Sequence, residues 1–273
     1  MKYGLCVNHA PGVDRLSGIW HAEDLKKIGY DYIEVPTNIM NMLSEADFAE
    51  AKRILSESGL PCRTCNDFMP MTYRITGTDK TPRKELEAYI RRAFFRIGQN
   101  GLGAGITVFG SPWCRNCPDG YDFETAFSEV ADFLRWTGEI AAEEGLTIAI
   151  ESINRSETNM MNRIPDVARM VHAVDLPNVR MHSDYYHIRY EQEDPHVIEG
   201  FGDMIVHTHI AKLANRAYMT DTDGELSYLT EYADALKKIG YEGGMSLEAK
   251  PDPKLDWYAQ AEANLRVLRS IFD

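Results

Sequence analysis

Residues Phe123–Glu151 read FETAFSEVADFLRWTGEIAAEEGLTIAIE, and this stretch decides the fold. Phe123–Glu144 carries the spacing of a long amphipathic helix, and Gly145 stands in the usual C-cap place. Leu146–Glu151 then reads as a strand. Strand alternation sends Ile148 and Ile150 to one face, toward helices. It sends Thr147, Ala149 and Glu151 to the other, toward the axis of a barrel.

The same helix-and-strand alternation extends both ways. Upstream, strands are expected at Tyr3–Asn8, Tyr32–Val35, Leu60–Cys65 and Ala104–Phe109. Between them lie helices at His21–Ile28 (ended by Gly29), from the Ser44 cap to Ser58, and from Pro82 to about Asn100. Downstream, strands Val179–Asp184, Met204–His209 and Gly244–Glu248 alternate with helices at Pro165–Ala173, from Pro195, at Leu226–Ile239 and at Leu255–Phe272. Eight β-then-α units imply parallel strands with right-handed crossovers. A doubly wound sheet is the rival, but eight units with a closing helix suit a (β/α)₈ TIM barrel. The 273 residues match the roughly 250 such a barrel needs, so one domain over 1–273 is expected. The longest irregular stretches, Asp67–Thr81, Gly110–Asp122, Ser152–Ile164 and Ala211–Gly224, follow strands 3, 4, 5 and 7, on the catalytic face.

The composition, 44% hydrophobic and 26% charged, is that of a globular protein. A net charge of −13 disfavours a nucleic-acid partner. No apolar run approaches the ~20 residues needed to cross a bilayer. Met1–Pro11 lacks the charged and long apolar regions of a signal peptide, so a cytoplasmic protein is expected. Among five cysteines, Cys62/Cys65 and Cys114/Cys117 have C-x-x-C spacing. A four-thiolate zinc site is disfavoured, because residues three apart on a strand point to opposite faces.

Four consecutive strands end on polar residues of inward parity. These are Glu151, Asp184 (with Arg180 and His182), His209 (with His207) and Glu248 (with Ser246). Each alone is an ordinary strand-end or core residue. Together, three carboxylates and an imidazole at one barrel end would repel one another without a cation. A divalent metal is therefore expected on Glu151, Asp184, His209 and Glu248. The oxygen-rich set favours Mn²⁺, with Mg²⁺, Co²⁺ and Zn²⁺ as alternatives.

These residues lie in motifs that resemble the xylose-isomerase-like sugar isomerase and epimerase barrels, most of all the ketose 3-epimerases of the D-tagatose and D-allulose type. Glu151-Ser-Ile-Asn154-Arg155-Ser-Glu157 resembles the family's metal Glu followed by a substrate-binding Glu. Asp184-Tyr-Tyr-His187 resembles its metal Asp and substrate-binding His. His207-Thr-His209 with Arg216 downstream, and Leu247-Glu248, complete the set. The resemblance implies epimerisation at C3 through a cis-enediolate, with Glu151 and Glu248 as the acid–base pair on opposite faces of the carbon. Glu157, His187 and Arg216 would bind the sugar, with Trp113 as an aromatic wall of its pocket. It also implies a homodimer or homotetramer. Arg216 stands one residue farther from the metal His than is typical, and Lys212 lies in an altered loop, so the sugar's identity and phosphorylation stay open.

Aldose–ketose isomerases and inosose-type dehydratases use the same scaffold. Endonuclease IV-like nucleases share it too, but eight histidines and a charge of −13 argue against a trinuclear zinc enzyme on DNA. A non-catalytic sugar-binding barrel would not need the Glu151/Glu248 pair.

Overall fold

The computed structural model describes residues 1–222 and 224–273. Its strands are β1 (Lys2–Cys6), β2 (Tyr32–Pro36), β3 (Cys62–Asn66), β4 (Ile106–Phe109), β5 (Thr147–Glu151), β6 (Val179–Asp184), β7 (Ile205–Ile210) and β8 (Gly244–Leu247). They close into a barrel in chain order, every pair parallel, with β8 returning to β1. This is the (β/α)₈ TIM barrel expected from the alternation.

The main helices are α1 (Ala22–Ile28), α2 (Thr37–Met42), α3 (Glu45–Ser58), α4 (Arg83–Ile97), α5 (Phe123–Glu143), α6 (Ile164–Val174), α7 (Tyr185–Tyr190), α8 (Leu226–Lys238) and α9 (Trp257–Phe272). Their starts are fixed locally. Ser44, Asp122 and Asp256 each accept a hydrogen bond from the backbone N–H of Asp47, Thr125 and Ala259, which satisfies a donor the helix leaves unpaired. Outward strand residues such as Ile33, Ile148, Ile150 and Val179 are buried with helix residues such as Phe94, Val130, Leu134 and Leu268 in one apolar shell. Truncating a buried Phe in such a shell costs about 3–5 kcal/mol.

The barrel interior is polar above its floor. Tyr32 fills the lower end, its hydroxyl 2.9 Å from Ser246 Oγ. Gly4 makes room for it, since a Cβ there would lie 2.1 Å from the Tyr32 ring. Above it sit Glu34, Thr64 and His207, all buried, and the strand-end carboxylates form the next layer.

Three features depart from the sequence reading. α2 and α7 follow directly on β2 and β6, where no helix is expected; at six residues each they are too short to show a period. Asp184 both ends β6 and caps α7, accepting from Tyr186 N at 2.7 Å. The third departure corrects the cysteine argument. Cys62 and Cys65 do not point apart: their Sγ atoms lie 3.7 Å from each other, both buried. The register between β2 and β3 slips so that Cys62 faces Ile33 while Thr64 faces Glu34. Arg63 is the extra residue of a bulge, and the bulge resets the parity. Cys114 and Cys117 bond elsewhere, to the carbonyls of Ser111 and Tyr121.

Candidate metal centre and sugar pocket

Glu151, Asp184, His209 and Glu248 converge as strand parity requires. Each offers one ligand atom, and those atoms all lie within 4.8 Å of one another. All four residues are buried. His209 Nδ1 is 3.3 Å from Glu248 Oε2 and 4.0 Å from Glu151 Oε1. Glu151 Oε1 and His209 Nδ1 are buried without a hydrogen-bond partner. Orphaned buried atoms of this kind are rare in native proteins. Three carboxylate oxygens and an imidazole nitrogen, two of the four atoms unpartnered, fit a divalent cation.

Glu151 depends on a missing side chain at the end of the neighbouring strand. Gly110 follows β4, and a Cβ there would come within 2.3 Å of Glu151 Oε2. Behind Glu151 lies Arg115, fully buried, donating from Nη2 to the Glu151 carbonyl at 2.9 Å and from Nη1 to that of Phe109 at 3.4 Å. Burial pushes the Arg115 guanidinium down to about 10. Glu248, just past β8, accepts at Oε1 from Asn8 Nδ2 (3.0 Å) and Asn66 Nδ2 (2.9 Å). Its Oε2 takes the Arg216 guanidinium, which also reaches Asp184 Oδ2 at 3.4 Å.

The two candidate acid–base residues are driven apart electrostatically. Burial, then the charges of Asp184 and Glu248, push the Glu151 carboxyl well above the usual range. Glu248 pays the same burial penalty, but Arg216 and His209 outweigh it and hold its carboxyl well below that range. A pair so separated has one member disposed to carry a proton and one to accept it.

His187 is fixed in one tautomer by its neighbours. Its Nδ1 accepts from Asn154 N (3.1 Å) and lies 2.9 Å from Asn154 Nδ2. The ring proton therefore sits on Nε2, which faces Asp184 Oδ2 (3.6 Å) and Glu151 Oε1 (3.8 Å). Burial lowers the His187 pKa to about 3, so the ring is neutral near pH 7. Asn154 Nδ2 also donates to Glu157 Oε1 at 3.0 Å, so one amide orients both residues. Arg155, from the same motif, turns away and pairs with Glu191 at 2.7 Å.

A cavity of about 270 Å³ opens above the cluster, and Glu151, Glu157, His187, Arg216 and Glu248 form one wall. Trp113, 46% exposed, stands in the opposite wall. Of the residues singled out in the sequence, Trp113, Glu151, Glu157, His187, Arg216 and Glu248 line this cleft, and Asp184 and His209 join Glu151 and Glu248 in the cluster. Lys212 is not among the residues lining the cleft; it borders a separate groove.

Several residues of the site escape sequence reading. Glu34 accepts from His209 Nε2 at 2.9 Å and lies 2.8 Å from His207 Nε2. Its signal is an acid inside an otherwise apolar strand, where burial demands a partner. Asn8, Asn66 and Asp67 are polar strand-end residues on the first and third strands, the same signal that marks the other four.

A family model described as xylose isomerase-like TIM barrel matches residues 22–271. The chain is 28% identical to an L-ribulose 3-epimerase of Methylomonas sp. (strain DH-1) over 88% of this chain and 84% of the relative. It is 25% identical to a 3-dehydro-D-guloside 4-epimerase of Escherichia coli (strain K12) over 83% of this chain and 84% of the relative. In fold it is similar to a D-psicose 3-epimerase from Clostridium cellulolyticum H10, solved with D-tagatose, at a TM-score of 0.85 and 19% identity, with 100% of both chains covered.

Proposed function

The chain belongs to the xylose isomerase-like TIM barrel family, and on that footing we propose that it is a divalent-metal-dependent ketose 3-epimerase, with residues 1–273 acting as one catalytic domain. The observation that carries this reading is the pair Glu151 and Glu248. Both are buried in one wall of the cavity, and their ligand atoms lie within 4.8 Å of each other and of those of Asp184 and His209. The relatives named as 3-epimerases support the same assignment.

Glu151, Asp184, His209 and Glu248 would hold the metal, with Mn²⁺ favoured and Mg²⁺, Co²⁺ or Zn²⁺ as alternatives. When bound, the metal supplies polarisation of the ketone, which acidifies the neighbouring C–H. Glu248 takes the C3 proton of one epimer as its carboxylate, and Glu151 returns a proton to the opposite face; for the other epimer the roles exchange. The cis-enediolate between these steps carries the one negative charge left by the C3 proton, on the C2 oxygen beside the C3 hydroxyl. The Nε2–H of His187 and the Arg216 guanidinium donate to those oxygens, and Glu157 orients a neighbouring hydroxyl. Trp113 walls the pocket.

The E. coli relative favours a second reading, in which the ketone is at C3 and the proton leaves C4. The same residues would serve. The sugar partner, the cytoplasmic setting and assembly as a homodimer or homotetramer belong to this proposal; no described helix is long and apolar enough to cross a membrane. The test is ketose interconversion before chelation, after it, and after Mn²⁺ is restored. Activity lost on chelation and recovered with Mn²⁺ supports the reading, and full activity in metal-free protein contradicts it.

A further inference from the structure

The cavity has two walls of different origin. Residues at the ends of β5 to β8 supply the candidate metal cluster, with His187 and Arg216 beside it. Residues after β2 to β4 supply the opposite wall, with Asn38, Asp67, Met69, Ser111 and Trp113 among them. A ketose held by its reacting end at the first wall presents the rest of its chain to the second.

That second wall carries one charged residue, Asp67. Its backbone is left-handed at φ 47, a conformation that non-glycine residues adopt at a cost and that concentrates at functional sites. The strain is held by neighbours: Asn38 N donates to the Asp67 carbonyl at 3.1 Å. Ser111 across the wall is likewise left-handed at φ 42 and accepts from Met69 N at 3.1 Å. Among the described residues no donor reaches the Asp67 carboxylate. Among the described residues the cavity's one cation, Arg216, stands on the first wall, against Glu248 and Asp184. The far wall therefore offers a hydrogen-bond acceptor with negative charge and nothing that neutralises an anion.

We propose that Asp67 is a specificity-determining residue: it accepts hydrogen bonds from the terminal hydroxyl end of the ketose and excludes sugars that carry a phosphate there. This rests on the ketose reading of the site. A hydrogen bond to a charged acceptor is worth about a tenfold change in affinity or more, and a second anion beside it is disfavoured further.

The test is equilibrium binding by titration calorimetry on the Mn²⁺-loaded protein. The probes are D-fructose, D-fructose 6-phosphate and 6-deoxy-D-fructose. Measurements belong at about pH 8, since desolvation within the cleft and the Glu248 charge push the carboxyl of Asp67, though exposed at its surface, up to about 7. Wild type should prefer D-fructose to each analogue by about tenfold or more. Asp67→Asn keeps the left-handed backbone and removes the charge, so rejection of the 6-phosphate should collapse. Asp67→Gly keeps the backbone and removes the acceptor, so the 6-deoxy sugar should bind as well as D-fructose. Preferences unchanged in both variants, or absent from wild type, would overturn the assignment. C3 exchange in D₂O reports separately on the reaction. Binding that follows this pattern without C3 exchange would sink the epimerase reading and leave the role of Asp67 standing.

Discussion

Glu34 Oε1 lies 2.9 Å from His209 Nε2, while the ring's other nitrogen, Nδ1, lies 3.3 Å from Glu248 Oε2. The other Glu34 oxygen lies 2.8 Å from His207 Nε2 and accepts from Ser246 Oγ at 2.6 Å. The carboxylate is fully buried, and against that burial the two imidazoles hold it well below the usual carboxylate range. It accepts the His209 Nε2 proton in a hydrogen bond and turns Nδ1 toward Glu151 and Glu248. Outer carboxylates of this kind are worth about 10–100-fold in metal affinity. Glu34→Gln should weaken Mn²⁺ binding by that factor in a metal titration, with helical content retained. Unchanged affinity would remove Glu34 from the account.

Gly110 and Glu151 are coupled by space alone. Gly110→Ala places a methyl group where Glu151 Oε2 now lies, 2.3 Å from the new Cβ. The carboxylate must move, and small misplacements of a reacting group cost about 10²-fold. kcat should fall by roughly that factor while the unfolding midpoint stays near wild type. A variant with wild-type kcat would show that Glu151's position is not critical.

The outline of the site was legible because Glu151, Asp184, His209 and Glu248 each close an apolar strand with the same parity. Parity is a local property, so one strand at a time suffices. What supports those candidate ligands is not local. Glu34 meets His207 and His209 across sequence separations of 173 and 175, and Asn8 meets Glu248 across 240. Such pairings follow from barrel closure, which no single segment encodes. Cys62 and Cys65 show the limit of parity itself: the bulge at Arg63 arises from pairing with β2, and their spacing gives no sign of it.

Arg216 stands against both Glu248 and Asp184. In metal-free protein it is the cation that compensates two buried carboxylates. Removing one partner of a buried pair costs about 3–5 kcal/mol. Arg216→Met should therefore lower the Tm of the chelated protein strongly and that of the Mn²⁺-loaded protein much less. Equal losses in both forms would mean that guanidinium and metal do not share these oxygens.

His187 makes the fold sensitive to acid. Its native pKa is held at about 3 by burial, against 6.5 for an ordinary histidine. Below pH 6.5 the unfolded chain takes up a proton that the native ring refuses. Stability is therefore undiminished above that pH, falls as the pH drops toward 3, and falls no further beyond it. The loss amounts to about 2 kcal/mol at about pH 5. His187→Gln should shrink the difference between urea midpoints at about pH 7 and about pH 5. An unchanged difference would assign the acid limb to other groups, such as His182 and His207, whose pKa values burial also lowers.

The position at which deuterium enters the sugar decides the reaction. Mn²⁺-loaded protein incubated with a ketohexose in D₂O, with products read by NMR, should place deuterium at C3 and yield the C3 epimer. Glu151→Gln and Glu248→Gln should each abolish epimerisation, with exchange surviving for opposite epimers, because each variant keeps one carboxylate able to take a proton from its own face. Deuterium at C1 or C4 in the unmodified protein, or equal exchange of both epimers in either variant, would contradict the account.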